Sequence, residues 1–329
     1  MNMWNARVLP SFVEQYLEKK TMKKITGLAF ALSLVSTVAF AGAGHNHDNS
    51  PSPDVSLAST FVDENVSVIM GVGGFAGGNV AVSAGPDGLL MVDDFLPGFA
   101  QKLETALVDL KTCQTCGNLE YLINTHWHFD HAGNNEHFGG AAVLIAHDAV
   151  RPLLSSPQDL KAFNLKLPAK NRDGLPDITF AQQSSVYFNG EEIELTHFPQ
   201  SHTSGDISAY FKKSNIVHLG DLYFNHMFPF VDLQNGGNVK GMIKSIEAAI
   251  KQYPADAKII PGHGALSNMD ELKTYLGMLK ATTKVVEAGK NKGLSLEQIQ
   301  KQGLDKKWQS WAWKFVSVET WIALVYGSL

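Results

Sequence analysis

The chain has 329 residues, with 27 Lys and Arg against 32 Asp and Glu, so its formal net charge at neutral pH is −5. Hydrophobic residues make up 44% and charged residues 18%, which is typical of a globular protein and excludes a disordered chain. The mild acidity argues against nucleic acid as a partner, because proteins that bind it usually carry a basic face. Two cysteines exclude a disulfide scaffold and a zinc site built from cysteine alone.

Residues 1–41 have the features of a secretory signal region. A basic start at 22–24 precedes the apolar run 25–40, which ends in small residues at an A-x-A pattern. We expect cleavage after Ala41 or Ala43 and a periplasmic or secreted protein. No later apolar run is long enough to span a bilayer, so no membrane span is expected after cleavage.

Two further expectations concern the chain before the folded body. Residues 1–21 precede a signal that is already complete, so Met1 and Met22 both stay open as the first residue. Residues 42–59 are small and polar with two prolines, which predicts a flexible linker.

The body alternates strand-like and helical patterns. Short β-rich runs lie at 66–72, 80–83, 89–93, 121–124, 142–146, 185–188, 193–198, 207–211, 216–219 and 258–260. Helical spacing of apolar residues marks 98–110, 239–252 and most of the chain after 268. Two β-rich halves, each followed by helix, predict two sheets packed together with helices outside.

Four side chains able to bind a metal ion lie within six residues, in the string THWHFDH at 125–131. His126 and His128 are two residues apart, so on an extended segment they point the same way. Asp130 and His131 follow where the strand gives way to a turn. Neutral imidazole and carboxylate are ligands that zinc takes, so this string predicts a metal site.

In three later segments, a ligand-type residue lies at, or just beyond, the C-terminal end of a strand-like run. Functional residues of layered folds are commonly found at such strand ends. The ligand-type residues in these segments are His202, Asp221 and His263. With the first string they make five histidines and two aspartates. Seven ligands are too many for one tetrahedral ion and suit two ions that share a bridge.

The strings THWHFDH, HTSGD, GDLYF and PGHG resemble, in this order, the motifs of the metallo-β-lactamase superfamily of metal-dependent hydrolases. The resemblance covers residues 60–265 and implies an α/β fold, a four-layer αββα sandwich with a dinuclear zinc site at one edge of the two sheets. We expect residues 266–329 to form a helical C-terminal extension packed on this domain. By motif, the first ion takes His126, His128 and His202, the second takes Asp130, His131 and His263, and Asp221 bridges them.

The resemblance also implies a reaction. Two Zn²⁺ per chain are expected, although His and Asp also suit iron or manganese. A water that bridges two zinc ions has its pKa lowered from near 16 to about 7, which gives hydroxide at neutral pH. This hydroxide would attack the carbonyl of a small-molecule substrate: an ester, thioester, lactone or lactam. Asp130 would both bind metal and orient the attacking oxygen, and is the predicted catalytic residue.

The sequence leaves the substrate open. In zinc β-lactamases of the first subclass, the position of Asp221 is usually a cysteine, followed three residues later by a lysine that holds the substrate carboxylate. Here the third residue after Asp221 is Phe224, which favours a general hydrolase over a β-lactamase proper. The alternative from another class is a non-catalytic metal-binding protein on the same scaffold.

Several residues are candidates for contacts around the metal site. The predicted substrate contacts are Phe75, at the tip of the glycine-rich loop 71–79, together with Tyr223 and Asn238. Thr203 and Asp206 are candidates for hydrogen bonds that orient the ligands, with a polar turn as the alternative.

The two cysteines and the C-terminal tryptophans complete the expectations. Cys113 and Cys116 follow a predicted helix, and either a small disulfide or two free thiols fits that position. Four tryptophans lie after residue 300, namely Trp308, Trp311, Trp313 and Trp321. Their spacing is typical of a core, and a wall of the pocket or a dimer contact is the alternative.

Overall fold

The computed structural model describes residues 54–110 and 118–329. The predicted signal region, the first part of the predicted linker, and Cys113 and Cys116 lie outside the described residues.

Fifteen strands and eight α-helices make up the described part of the chain. The strands are β1 (Ser56–Phe61), β2 (Val66–Val72), β3 (Val80–Gly85), β4 (Gly88–Val92), β5 (Leu119–Ile123), β6 (Val143–His147), β7 (Gln158–Leu160), β8 (Leu165–Leu167), β9 (Ile178–Phe180), β10 (Gln183–Phe188), β11 (Glu191–His197), β12 (Ile207–Phe211), β13 (Ile216–His218), β14 (Lys258–Ile260) and β15 (Ser267–Asn268). The helices are α1 (Ala100–Asp109), α2 (Asn135–Phe138), α3 (Val150–Leu154), α4 (Val239–Gln252), α5 (Met269–Asn291), α6 (Leu296–Gln302), α7 (Lys306–Gln309) and α8 (Val318–Ser328).

The strands form two large sheets and one small one. The first sheet has the order β1-β2-β3-β4-β5-β6-β9, and the second has the order β10-β11-β12-β13-β14-β15. Neighbours are antiparallel from β1 to β4 and parallel from β4 to β9, and β13 pairs with β14 in parallel. The short strands β7 and β8 form a separate hairpin.

Side chains alternate between the two faces of each sheet, and this alternation produces the layers of the fold. Ile216 and Ile260 belong to the core between the two sheets, whereas their neighbours Val217 and Ile259 belong to the core under the helices. Successive side chains of a strand point to opposite faces, so a strand buried on both faces is apolar throughout. The first sheet repeats this pattern and packs its outer face on α1. The result is the predicted αββα sandwich.

The second helical layer also contains the C-terminal helices. Asn238 is the N-cap of α4, and its side chain accepts a hydrogen bond from the backbone of Gly241. The helix buries Met242 and Ile246 against the second sheet. The helix α5 and the indole of Trp321 in α8 join the same core. The predicted helical extension is therefore present and packs on the sandwich.

The first strand corrects one boundary. β1 spans Ser56–Phe61, so residues 56–59 of the predicted linker belong to an edge strand that pairs with β2. The sequence pattern missed this strand because most of its side chains are exposed and polar or small. Within the described ranges, no helix combines the length and the apolar character that crossing a membrane requires.

Two histidines that take no part in the predicted metal site stack on each other. The rings of His147 and His197 lie 3.6 Å apart between centroids, with 15° between their planes. His147 Nε2 donates to the Ala181 carbonyl and His197 Nδ1 donates to the Asp206 carbonyl. Burial, and then repulsion by His147, lowers the pKa of His197 to about 4. Burial also lowers the pKa of His147.

This pair predicts acid sensitivity. Both rings stay neutral in the folded protein while the unfolded chain takes up protons below the usual pKa of 6.5. The free energy of unfolding should therefore fall as the pH drops from that value towards 4. His197→Gln keeps a hydrogen-bond donor but not the titration, so its stability should fall less over this range. Chemical denaturation at several pH values measures both slopes.

The control for this experiment is His226→Asn, at a surface histidine whose ring packs on Trp311. Its acid slope should equal that of the wild type. Equal slopes for all three proteins would contradict the assignment to the stacked pair.

Candidate metal centre

The residues predicted to bind metal gather where strands of both sheets end. His126 follows β5, Asp221 follows β13 and His263 follows β14, while His202 lies in the loop between β11 and β12. Because β4 and β5 in one sheet and β13 and β14 in the other are parallel, their C-terminal ends open at a common edge. All of these side chains are buried or nearly so.

Two groups of possible ligand atoms form at this edge. His126, His128, His202 and Asp221 make one group, and Asp130, His131 and His263 make the other. Within each group the ligand atoms all lie within 4.8 Å of one another. The structure thus brings together all seven side chains that the motifs predict, divided as predicted.

The Asp221 carboxylate lies between the two groups. Its Oδ2 is 3.3 Å from His202 Nε2 and 3.9 Å from His126 Nε2. Its Oδ1 is 3.1 Å from His131 Nε2 and 3.3 Å from His263 Nε2. One oxygen therefore faces each group, which is the arrangement that a bridging ligand needs.

Hydrogen bonds on the far side of each ring fix which nitrogen faces the centre. His202 Nδ1 donates to the Phe230 carbonyl at 2.7 Å, so Nε2 keeps its lone pair. His126 Nδ1 lies 3.1 Å from Thr125 Oγ1, whose hydroxyl in turn donates to Asp93. Outer contacts of this kind orient ligand rings in metal sites.

Two carboxylates hold the remaining rings of the THWHFDH string. His131 Nδ1 donates to Asp93 Oδ2 at 2.7 Å. His128 Nε2 donates to Asp232 Oδ2 at 3.1 Å, so Nδ1 of that ring faces His202 Nε2 at 2.8 Å. Asp93 has a positive φ of 65°, a strained conformation that also lets its carboxylate accept from the backbone of Thr125.

The centre contains buried polar atoms that a bound cation would satisfy. His126 Nε2 and Asp221 Oδ1 are buried without a hydrogen-bond partner. Leaving such an atom unsatisfied costs about 1–3 kcal/mol. The backbone also approaches closely here, because a Cβ on Gly262 would lie 2.0 Å from Asp221 Oδ1 and one on Gly78 would lie 2.1 Å from the His131 ring. These residues therefore fit a group of bound metal ions.

Burial and charge set the protonation of the centre. Burial lowers the pKa of His126 and His202, the latter to about 4. Burial opposes the charged form of His263 too, but the Asp221 carboxylate outweighs it and raises that pKa to about 9. Asp221 is itself desolvated, yet the nearby histidines, His263 first, keep its pKa well below the usual range. Asp221 is thus ionised at neutral pH and attracts cations.

Asp130 is the least buried of the seven side chains and borders the cleft. Its Oδ2 lies 3.4 Å from His263 Nε2 and 3.8 Å from His131 Nε2. Burial opposes its ionisation, but His131 and His263 keep its pKa below the usual value. An ionised carboxylate that borders a cleft can accept a proton from a water molecule held there.

A cleft of about 830 Å³ opens over the two groups. Its floor contains His128, Asp130, His202, Asp221 and His263. Its walls are mainly aromatic. A concave, largely apolar site with a few polar groups on its floor has the form of a small-molecule site.

A family model described as the metallo-β-lactamase superfamily matches residues 117–276, the range that contains all seven side chains. This range of the chain belongs to the metallo-β-lactamase superfamily. A similar curated protein is the hydroxyacylglutathione hydrolase GloC of Haemophilus influenzae, 29% identical over 47% of this chain and 74% of its own length. A probable hydroxyacylglutathione hydrolase of Schizosaccharomyces pombe is 26% identical over 55% of this chain and 62% of its own. The chain is a superfamily hydrolase.

Solved structures share the fold. A metallo-β-lactamase from Pontibacter korlensis aligns with a TM-score of 0.56 at 18% identity, over 68% of this chain and 99% of that one. The sec-alkylsulfatase Pisa1 from a Pseudomonas species aligns with a TM-score of 0.59 at 17% identity, over 83% and 50%. At these identities the likeness concerns the fold alone.

Three predicted contacts have other places in this superfamily hydrolase. Tyr223 is fully buried, and its hydroxyl bonds Asn225 and Ser267 instead of reaching the cleft. Asn238 is the N-cap of α4, so its side chain is occupied by the helix backbone. The Asp206 carboxylate accepts from Thr203 in a local turn, as the alternative held, and bonds no ligand ring.

The predicted contact Phe75 does line the cleft, and its ring stacks on His263 with 5.5 Å between centroids. Sequence reasoning missed Asp93 and Asp232. Asp93 carried a signal, since it ends a buried strand run beside the predicted ligands. Asp232 lies in a loop 104 residues from His128, so nothing local marked it.

Asp93 should control metal affinity through His131. Asp93→Asn removes the charged acceptor of the His131 Nδ1 proton, and the affinity for zinc should fall by about 10- to 100-fold. Competition for Zn²⁺ against a chromophoric chelator measures this change.

The matched control is Asp206→Asn, which alters a buried aspartate whose hydrogen bonds go to Thr203. Its zinc affinity should stay within a few-fold of the wild type. Equal losses in the two variants would mean that general destabilisation, and not orientation of His131, determines the affinity.

Proposed function

We propose that this protein is an exported, binuclear zinc-dependent hydrolase that cleaves a carbonyl substrate. The observation that carries the proposal is the Asp221 carboxylate, with one oxygen facing each of two histidine-containing groups on the floor of a cleft. The hydrolase class of the superfamily and the names of the curated relatives support the same reaction type.

The protein residues would have distinct roles in binding the two ions. The group His126, His128 and His202 would hold one ion, the group Asp130, His131 and His263 would hold the other, and Asp221 would bridge them. Two bound zinc ions supply Lewis acidity that activates water and polarises a carbonyl.

The Asp130 carboxylate borders the cleft and would orient the attacking water and accept its proton. Asp93 and Asp232 keep the His131 and His128 rings in place during the reaction. Carbonyl cleavage then inserts water between the acyl carbon and its leaving group, and the proton held at Asp130 can pass to that leaving group.

Thioesters are the first candidates among carbonyl substrates, because two curated relatives are named as hydroxyacylglutathione hydrolases. A β-lactamase proper is less favoured. The position three residues after Asp221 is occupied by Phe224, whose ring stacks on His263 with 5.0 Å between centroids.

Metal loading and removal test the proposal. Purified protein should contain about two equivalents of zinc. It should hydrolyse at least one member of a panel of ester, thioester, lactone and β-lactam substrates. A chelator should abolish turnover and added zinc should restore it. His128→Ala should reduce kcat/KM by about 100-fold or more, since its Nδ1 belongs to the first group.

The matched control is His137→Ala, which removes a partly buried ring paired with Glu104, outside the two ligand groups, and should leave turnover unchanged. Protein that binds two zinc ions but turns over no member of the panel would support the non-catalytic metal-binding alternative. Protein that binds no transition metal would overturn the proposal.

Export is supported by the sequence of residues 22–41, a basic start followed by an apolar run and an A-x-A pattern. Expressed in a bacterium with its full sequence, the protein should appear in the periplasm or medium with Gly42 or Gly44 as its first residue. N-terminal sequencing of the recovered protein measures the cleavage position.

Two single substitutions separate the alternatives for cleavage. Ala41→Leu should block processing after residue 41, while Ala43→Leu should leave it intact, because signal cleavage needs small residues at the cut. An intact N-terminus in the cytoplasm would contradict export without affecting the hydrolase proposal.

A further inference from the structure

Of the seven Phe and Trp side chains that line the cleft, five form one connected surface above the metal-ligand groups. We call them the aromatic wall: Phe75, Phe163, Phe230, Trp313 and Phe315. None of them is fully buried, so the cleft exposes ring surface to solvent. Clustered exposed aromatic surface is uncommon on soluble proteins unless it marks a binding site.

The rings form one continuous surface. Phe75 packs on Phe315 with 4.9 Å between centroids, and Phe163 packs on Phe230 at 4.7 Å. Phe163 and Phe315 lie 6.3 Å apart and join the two halves. At one end Phe75 stacks on His263. A planar apolar group placed against this wall would therefore lie directly beside the predicted reaction centre.

The C-terminal part of the wall is held by specific contacts. Trp313 Nε1 donates to the Phe228 carbonyl, and the Phe228 amide donates to the Trp311 carbonyl, both at 2.8 Å. The ring of Phe228 also stacks on the fully buried Trp321, with 11° between the planes. The segment between α7 and α8 is thus fixed against the sandwich, and Trp313 and Phe315 keep their places in the cleft.

One cation lies among these rings. Of the residues that line the cleft in the described ranges, Lys314 is the sole lysine or arginine. It is exposed, and its Nζ lies 5.3 Å from the centre of the Phe315 ring. An ammonium group in this place can pair with an anion on a ligand whose apolar part covers the wall.

Three of the five wall residues and the cation lie outside the matched range that contains the metal centre. Phe75, Trp313, Lys314 and Phe315 all lie outside residues 117–276, whereas the seven possible ligands lie inside that range. The superfamily match therefore covers the floor of the cleft together with Phe163 and Phe230, whereas the flanking segments supply the rest of the wall and Lys314.

We propose that the cleft selects amphiphilic substrates, in which an aromatic or comparably bulky apolar group packs on the aromatic wall and an anionic group pairs with Lys314. This proposal names the substrate class of the proposed hydrolase. It rests on the proposed function only because it calls the ligand a substrate. Hydrolysis of such a substrate would break the bond between the acyl carbon and the leaving oxygen or sulfur, with water supplying hydroxyl and proton.

Binding of three small probes to the zinc-loaded protein tests the proposal without requiring turnover. The probes are 2-naphthalenesulfonate, which has both features, methanesulfonate, which has only the anion, and 2-naphthylmethanol, which has only the rings. Isothermal titration should show 2-naphthalenesulfonate binding at least about tenfold more tightly than either of the others. Equal binding of 2-naphthalenesulfonate and methanesulfonate would overturn the role of the wall.

Paired variants assign the two contacts. Phe315→Ala should weaken 2-naphthalenesulfonate by roughly tenfold, while Phe61→Ala, at an exposed phenylalanine in β1, should not. Lys314→Gln should weaken 2-naphthalenesulfonate by about three- to fivefold, with no change for 2-naphthylmethanol. Lys307→Gln, where the lysine covers Trp308 instead, should change neither. Identical results for Lys314→Gln and Lys307→Gln would overturn the role of Lys314.

Turnover separates this proposal from the one on which it rests. With methyl thioesters of acetic and 3-phenylpropionic acid, the phenyl compound should have a kcat/KM at least about tenfold higher, and Phe315→Ala should reduce that ratio. Equal hydrolysis of both compounds would leave the hydrolase proposal standing and remove the aromatic preference. Tight binding of 2-naphthalenesulfonate with no hydrolysis of any substrate would leave the ligand preference of the cleft standing and overturn the hydrolase proposal.

Discussion

The Asp221 carboxylate is the constraint on which the rest of this structure depends. It is buried at the edge of two sheets, and its two oxygens face separate groups of imidazoles at 3.1 to 3.9 Å. An ionised carboxylate in such a place is costly unless positive charge or hydrogen bonds compensate it. The surrounding backbone allows this approach only because residue 262 has no side chain. The strands, the glycine and the imidazoles thus meet the needs of one anionic group.

The fold could be predicted from the sequence because several central strands, such as β4 and β13, are buried on both faces and are therefore mostly apolar. The runs at 207–211 and 258–260 and the helix at 239–252 have the predicted bounds in the structure. The short strands β7 and β8 escaped prediction, as did the exposed edge strand β1, because a few mixed polar residues have no period to detect. Tertiary pairing, and not local pattern, forms them.

The ligand side chains of the metal centre could also be predicted from the sequence, whereas the carboxylates that orient them could not. Local strings identified the seven possible ligands, since ligand atoms sit at strand ends. The carboxylates that hold their rings depend on contacts distant in sequence, such as Asp232 with His128, and no string marks them. Tyr223 and Asn238 were wrong as cleft residues because proximity in sequence to a motif does not fix the direction of a side chain. Tyr223 points into the core, and Asn238 caps a helix.

The residues that can hold metal ions and some of the residues that line the cleft therefore lie in different segments of the chain. Residues 117–276 contain the groups that can hold ions, and the superfamily match extends over that range. Part of the cleft wall comes instead from the loop around Phe75 and the segment around Trp313, which the match does not reach. The name of a relative is consequently a better guide to the reaction class of this protein than to its substrate. The proposed substrate preference therefore depends in part on how the C-terminal helices dock, because the contact between Phe228 and Trp321 and the bond from Trp313 to Phe228 hold the segment that carries Trp313 and Phe315.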